Sequence, residues 1–386
     1  MSGPLEGIRV LDLTSVVMGP YCTLMLADMG ADVIKIESPS GDTTRYLGPS
    51  KNRGMGSLFL HLNRNKRSVA LDLKSKDGLE TMIALVKDAD VLVHTMRPKT
   101  MERLGLSYEH LRKVNSQLIY CGMYGFSKEG PYGDKPAYDD IIQAASGIVS
   151  AQGKVSGSPQ YLATVLADKT AGLVGLSSIL AALLYRQQKG GGQEIEVPMF
   201  ETMVSYNMIE HMYGETFIPA KGSTYYSRVT SPYRKPYKTK DGYIGVMIYN
   251  DKQWKSFFEV SGHQELAADE RFVDMEVRTQ NIDFVYSMIE EIIAEKTTET
   301  WLSLLVNADI PCTNINTPDD LFKDPHLNDI NFFRTVNHPT EGEIRDMKFP
   351  VTFSETPVEL NRYAPNLGEH NEELLKGLQL REKDGK

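Results

Sequence analysis

Apolar and polar positions along the first third of the chain follow two alternating periods. Ile8-Arg9-Val10-Leu11-Asp12-Leu13 is a short apolar-rich run of the kind that forms a strand, and Asp32-Val33-Ile34-Lys35-Ile36-Glu37 repeats it. Between them a loop from Thr14 to Pro20, punctuated by Gly19-Pro20, leads into a helix over Tyr21 to Met29 that Gly30 closes. This is one strand–helix–strand unit. The alternation continues with a strand over Ser68 to Leu73, a helix over Leu79 to Lys87, and strands at Val91 to Val93 and Leu118 to Met123. Strands separated by helices predict an α/β fold with a parallel, doubly wound sheet.

Farther along, Leu173, Leu176, Leu180, Leu183 and Leu184 recur at helical spacing and predict a long helix from Thr164 to Tyr185, stopped by Gly190-Gly191-Gly192. A strand at Glu194 to Val197 and a helix at Met199 to Tyr213 follow. Pro219 to Pro236 is rich in Gly, Ser, Tyr and Pro and reads as a linker. A strand over Tyr243 to Tyr249 then precedes mainly helical sequence to about Ala308. Phe332 to Val336 and Arg345 to Phe353 read as late strands, and Asn371 to Leu378 as a terminal helix. The expected organisation is a large domain over 1–218, a linker over 219–240, a smaller inserted α+β domain over 241–325, and a return segment over 326–386 that completes the large domain.

Composition narrows the class. In 386 residues, 41 % are hydrophobic, enough for a sizeable core. The 42 Lys and Arg against 51 Asp and Glu give a net charge of −9, so the basic excess of a nucleic-acid binder is missing. The 3 cysteines, Cys22, Cys121 and Cys312, are far apart and form no CxxC, which fits a reducing cytoplasm. The charged N-terminus is not that of a signal peptide. The apolar stretch from Leu173 to Tyr185 contains two serines and falls short of the ~20 residues of a membrane span. A cytoplasmic protein without a membrane partner is expected.

Several common sites are missing from the sequence. There is no GxGxxG after the first strand, no GxxxxGK[ST], no GxSxG and no HExxH, so neither a nucleotide fingerprint nor a metal cluster is visible. Two features have chemical potential. The first is Asp168, in Leu166-Ala167-Asp168-Lys169-Thr170 at the start of the long helix. An Asp there serves as a cap or dipole partner. It serves equally as a carboxylate nucleophile that the helix N-terminus keeps ionised at neutral pH, able to attack a thioester and form a mixed anhydride. Position alone does not separate these. The second is a set of cations, Lys66, Arg67, Lys74, Arg97, Lys99 and Arg103, each near a predicted strand. They are either solvated surface charges or a group converging on phosphates at one sheet edge, where doubly wound folds bind ligands.

Taken in order, several segments resemble the family III CoA-transferases and their cousin, alpha-methylacyl-CoA racemase. They are Pro4 to Leu13, Gly19-Pro20, Leu26 to Glu37, Asn65 to Ser68 running into Leu71 to Lys74, Arg97-Pro98 with Arg103-Leu104-Gly105, Gly125-Phe126 with Gly130-Pro131-Tyr132, Gly192-Gln193, Asp324 to Leu327, and Leu367 to His370. The resemblance spans nearly the whole chain. It implies that Asp168 is the catalytic residue. It implies that Val17, Met18, Leu71 to Lys74, Thr95, Met96, Arg97 and Arg103 line the coenzyme A site, with Tyr138 beside its acyl end. It implies an interlocked homodimer with a Rossmann-like large domain. The reaction it implies moves CoA from an acyl-CoA to a free carboxylic acid, with the CoA thioester as substrate and no metal, nicotinamide or flavin. Two positions depart from the pattern. Ser38 stands where some members have an arginine near the adenine, and Lys221 to Pro236 lacks the glycine run of members acting on oxalate. Two other readings are an acyl-CoA racemase and a non-catalytic acyl-CoA-binding protein. The racemase's His-Asp pair falls on Tyr138-Asp139, and a tyrosine, with an ordinary pKa near ~10, is a poor base. The presence of Asp168 speaks against a mere binder.

Overall fold

The computed structural model describes residues 3–374. The chain forms two compact units. The larger takes Met1–Ser146, Ala163–Tyr206 and Asp329–Lys386, and the smaller takes Gly147–Leu162 and Asn207–Asn328.

The larger unit is built on six parallel strands, β1 (Arg9–Leu13), β2 (Asp32–Glu37), β3 (Lys66–Ala70), β4 (Val91–His94), β5 (Ile119–Tyr124) and β6 (Glu194–Pro198), in the order β3-β2-β1-β4-β5-β6. Strand order reverses direction between β1 and β4, and the crevice beyond the carboxyl ends of two such strands is where open α/β sheets bind ligands. The helices of this part are α1 (Met18–Asp28), α2 (Ser57–Leu62), α3 (Lys76–Lys87), α4 (Pro98–Arg103), α5 (Tyr108–Val114), α6 (Asp139–Ala145), α8 (Leu166–Lys189) and the first turns of α9 (Met199–His211), while α7 (Ile148–Ser156), between α6 and α8 in the chain, falls in the smaller unit. On one side of the sheet Leu11, Ile34, Val69 and Leu92 pack with Met82, Leu85 and Val86 of α3 in a continuous core.

Helix α1 begins three residues earlier than the sequence suggested, because Gly19 and Pro20 sit inside its first turn, where proline's missing N–H costs nothing. Strand β3 begins two residues earlier and ends three earlier. Helix α8, at 24 residues, is longer than the expected one and, by length and composition alone, is long and apolar enough to cross a bilayer. Its small face packs within the unit: a Cβ on Gly172 would lie 2.9 Å from the Met18 carbonyl oxygen of α1, and one on Gly175 only 2.8 Å from Met123 Cε of β5. The late strands form a hairpin, β10 (Phe333–His338) and β11 (Gly342–Met347), so the second lies earlier than the Arg345 to Phe353 expected. Residues 371–374 are helical, and the rest of the expected terminal helix lies outside the described residues. The segment just before it covers the free edge of β3. The His370 N–H donates to the Ser68 carbonyl at 3.0 Å, Gly368 N–H to Ser68 Oγ at 3.0 Å, and Ala70 N–H to Asn371 Oδ1 at 2.9 Å.

The smaller unit differs from the expected 241–325 in two ways. It includes 207–240, assigned above to the large domain and a linker, and α7, which no shift in composition marks. Helix α7 belongs there because its Ser150 Oγ lies 2.9 Å from the Tyr225 hydroxyl, with Lys154 over the same ring. Its core is aromatic: Trp254, Phe257 and Phe258 of α11 (Asp251–Ser261), which follows the short α10 (Ser227–Thr230), pack with Phe272 and the fully buried Trp301. A three-stranded sheet of β7 (Tyr237–Lys238), β8 (Tyr243–Val246) and β9 (Cys312–Asn314) completes it.

Candidate active site

The loop from Thr14 to Val17 leaves the carboxyl end of β1 and is fixed by charges buried beneath it. Asp12 accepts from the Thr14 N–H at 2.9 Å, from Thr14 Oγ1 at 2.5 Å, from Thr23 Oγ1 at 2.7 Å and from Lys66 Nζ at 3.1 Å. Lys35 Nζ donates to the Thr14 carbonyl at 3.0 Å and to Asp42 Oδ2 at 2.9 Å. Burial alone would raise the Asp12 carboxyl, but Lys66 and Lys35 beside it hold it well below the usual carboxylate range. These contacts hold Val16 in the left-handed region at φ 68°, an outlier for a β-branched residue. Such strain, of about 1–3 kcal/mol, persists only where the surroundings over-determine it.

Two cavities open at this end of the sheet, and Ser15 lines both. The first, about 270 Å³, is walled by Val17, Met18, Thr95, Arg97, Tyr138 and Asp168. The second, about 370 Å³ and largely apolar, is walled by Leu71, Lys74, Met96, Arg103 and Ser38. Asp168 and the residues that the resemblance assigns to the CoA site and its acyl end thus all line one cavity or the other. Sequence reasoning missed Lys135, which also lines the first cavity; Ser15 belongs to the loop after β1, where such folds bind ligands, and the sequence offers Asp139 only as half of a racemase pair, not as a partner of Asp168. The strained turn gives no signal in a Ser-Val-Val run, and Asp139 lies 29 residues from the residue it touches.

The expected set of phosphate-facing cations divides. Lys66 is fully buried against Asp12, its amine pushed down to about 8 by burial against the pull of Asp12. Arg67 pairs with Asp32 at 2.5 Å and Glu373 at 2.9 Å, and Lys99 pairs with Asp134 at 2.5 Å. These three are structural or surface pairs, because an ion pair already answers each charge. Lys74, Arg97 and Arg103 line the cavities, and among the described residues none of them has a carboxylate partner.

Asp168 is the third residue of α8, 9 % exposed, in the wall of the first cavity. Its N–H donates to Asp139 Oδ1 at 3.0 Å. Burial, and then the charge of Asp139, push its carboxyl up to about 7. This corrects the expectation that the helix N-terminus keeps it ionised: the helix end is desolvated and faces a second acid, and these outweigh the dipole. Tyr138, 71 % exposed, stands on the same wall. Among the described residues no group of three or more His, Cys, Asp and Glu is placed to hold a metal ion.

A crevice at the reversal point of a parallel sheet, holding a buried carboxyl, cations without a carboxylate partner among the described residues and an apolar second chamber, suits an anionic ligand with an apolar portion. Comparison with known proteins agrees. The chain belongs to CoA-transferase family III, whose pattern it matches over residues 5–371. It is 32 % identical over 377 residues to the succinyl-CoA:glutarate CoA-transferase of Mus musculus, covering 97 % of this chain and 86 % of that one. It is 33 % identical to the succinyl-CoA:mesaconate CoA-transferase of Haloarcula hispanica, covering 97 % of this chain and 96 % of that one. A crystal structure of a CAIB/BAIF family protein from Brucella suis superposes with a TM-score of 0.82 at 31 % identity, covering 98 % of this chain and all of that one. The protein is therefore a CoA-transferase of this family.

One consequence concerns the second cavity. Arg103 closes α4 at its wall without a carboxylate partner among the described residues. Arg103→Ala should raise the KM for acyl-CoA about tenfold and change kcat little, the signature of binding lost equally from ground and transition states. Initial-rate kinetics over a range of acyl-CoA concentrations measures this, and an unchanged KM returns Arg103 to the class of surface charges.

Proposed function

We propose that this enzyme transfers CoA through covalent intermediates on Asp168. The observation that carries this is the placement of Asp168, a buried carboxyl in the wall of a cavity that also presents Arg97 and Tyr138. The Asp168 carboxylate attacks the thioester carbonyl, the C–S bond breaks, and CoA thiolate leaves a mixed anhydride. The thiolate then attacks the aspartyl carbonyl of that anhydride, and the first acid departs as its carboxylate with the C–O bond pair. The acceptor carboxylate attacks the aspartyl thioester and releases the thiolate, which finally attacks the acceptor's own carbonyl, frees Asp168 and forms the new acyl-CoA. One thioester is consumed and one is made, so the route requires no ATP, metal or redox cofactor. Amide N–H groups around the cavity are candidate donors to the transient oxyanions, but that of Asp168 is already engaged by Asp139.

The substrates best supported are a short dicarboxylic acid as acceptor and its like as donor, because the relatives named above act on succinyl-CoA with glutarate or mesaconate. The larger unit is read as a Rossmann-like CoA-binding unit and the active form as an interlocked homodimer in the cytoplasm. Exposed Leu173, Leu184 and Tyr185 on α8 suit burial against a second copy. The deciding experiment incubates enzyme with succinyl-CoA alone and adds hydroxylamine. A hydroxamate on the peptide containing Asp168, together with glutaryl-CoA formation once glutarate is supplied, supports the reading. No adduct, with rapid deuterium uptake at the acyl α-carbon in deuterated water, assigns the racemase reaction instead.

A further inference from the structure

The mechanism uses Asp168 but not the buried acid beside it. We propose that Asp139 is a positioning residue for the nucleophile: its carboxylate, delivered from α6, caps the first turn of α8 and sets a second negative charge against Asp168. This rests on the reading of Asp168 as the nucleophile.

The geometry shows why a cap from outside is needed. A helix begins with N–H groups that have no partner within it, and Ser, Thr, Asp or Asn at the N-cap usually accepts from one of them. In α8 that position is Val165, which offers no side-chain acceptor. Asp139 takes the role from another helix, accepting the N–H of the third residue, Asp168, at 3.0 Å. Asp139 is itself held in place. It is buried in the first turn of α6, and its other oxygen accepts from Gln143 Nε2 at 2.5 Å, while the same amide donates to the Thr164 carbonyl at 3.2 Å, next to Val165. The starts of the two helices are thereby tied together, and the backbone from which the nucleophile projects is fixed.

A neutral asparagine would cap as well as aspartate. The negative charge is therefore a separate feature, and its effect falls on Asp168. The cavity that Asp168 lines also presents Tyr124 of β5 and Arg97, Lys135 and Tyr138 of the loops; Tyr21 of α1 packs at Gly172, one turn along α8, and Lys169 of the first turn donates to Thr164 Oγ1 at 2.6 Å. Among charged neighbours it is Asp139 that adds to burial in pushing the carboxyl up to about 7. Below that pH the free enzyme holds Asp168 protonated and unable to attack, so kcat/KM should fall on the acid side. Burial raises that limb first, and the charge of Asp139 raises it further.

The test compares kcat/KM against pH for wild type, Asp139→Asn and Asp139→Ala, with hydroxylamine trapping on each. Asparagine keeps an oxygen for the Asp168 N–H, gives up the one facing Gln143 and loses the charge, so its acid limb should move to lower pH by about half a unit or more. Alanine loses both, and its kcat should fall roughly tenfold below that of the asparagine variant, the conservative change rescuing position. An acid limb of Asp139→Asn that superimposes on wild type, or an alanine variant as fast as the asparagine one, overturns the proposal. If circular dichroism shows the alanine variant unfolded, the asparagine pH profile decides alone. Failure to trap wild-type enzyme at Asp168 sinks the nucleophile reading. Trapping at Asp168 with an unmoved acid limb sinks only the role of Asp139.

Discussion

Asp168→Ala should lower CoA transfer by at least about a thousandfold, close to 4 kcal/mol of barrier, because a covalent route loses its only attacking group. Asp139 is a poor substitute: it does not line the cavity, and both its oxygens are occupied by Asp168 and Gln143. Stability should move the other way. A carboxyl raised to about 7 holds its proton more tightly folded than unfolded, so its contribution to stability is present at low pH and is lost as pH rises through 7. Relative to wild type, the alanine variant should therefore gain in thermal midpoint at pH 8 and gain less at pH 5. Thermal unfolding at the two pH values and transfer rates by mass spectrometry read both effects. A folded variant that keeps more than about a tenth of the wild-type rate would place the nucleophile elsewhere.

Lys66→Ala is expected to cost about 3–5 kcal/mol, because it removes the ion-pair partner of the fully buried Asp12 carboxylate and leaves only Lys35, which makes no ion pair with it, to answer the charge. Lys66 Nζ also donates to Thr23 Oγ1 at 2.8 Å, to Asn63 Oδ1 at 3.0 Å and to the Pro20 carbonyl at 3.0 Å, so a single truncation removes four partners at once. The same Asp12 holds Thr14, and the left-handed Val16 two residues on depends on that hold. Loss of stability should thus come with a fall in kcat/KM. Denaturant midpoints measure the first part. Removing both charges together, as Asp12→Leu with Lys66→Met, should recover much of the stability but not the activity. A loss below about 1 kcal/mol in the single variant would show that the pair does not clamp the loop.

The two variants also show where sequence reading succeeds. Strands β1, β2, β4 and β5 are legible to within a residue or two because central parallel strands are rich in apolar residues on both faces, as Val91 to Val93 is, and the edge strand β6 is legible from the alternation of Glu194 and Glu196 with Ile195 and Val197. Strand β3 is harder. It starts with Lys66 and Arg67, and nothing local says that the lysine is buried under the sheet on Asp12, 54 residues earlier. The cavity-lining residues were legible through the family-like order of segments, not through periodicity. The features that tune them were not, because the Asp139–Asp168 contact and the Val16 turn are made by tertiary packing. Helix α7 was not legible for the same reason: it lies within the expected 1–218, and its partner Tyr225 is 75 residues away.

The cover over β3 has a consequence for how the chain is made. The strand is complete once Ala70 is synthesised, but its hydrogen-bonding partner Gly368 lies 300 residues beyond Ser68. At a synthesis rate of ~5–20 residues per second, the edge waits roughly 15–60 s for its cover. Throughout that time an unpaired parallel edge is available to any neighbouring nascent chain, guarded mainly by the charge of Arg67 near its start. The period of greatest aggregation risk is therefore set by distance along the message, not by the strength of the finished sheet.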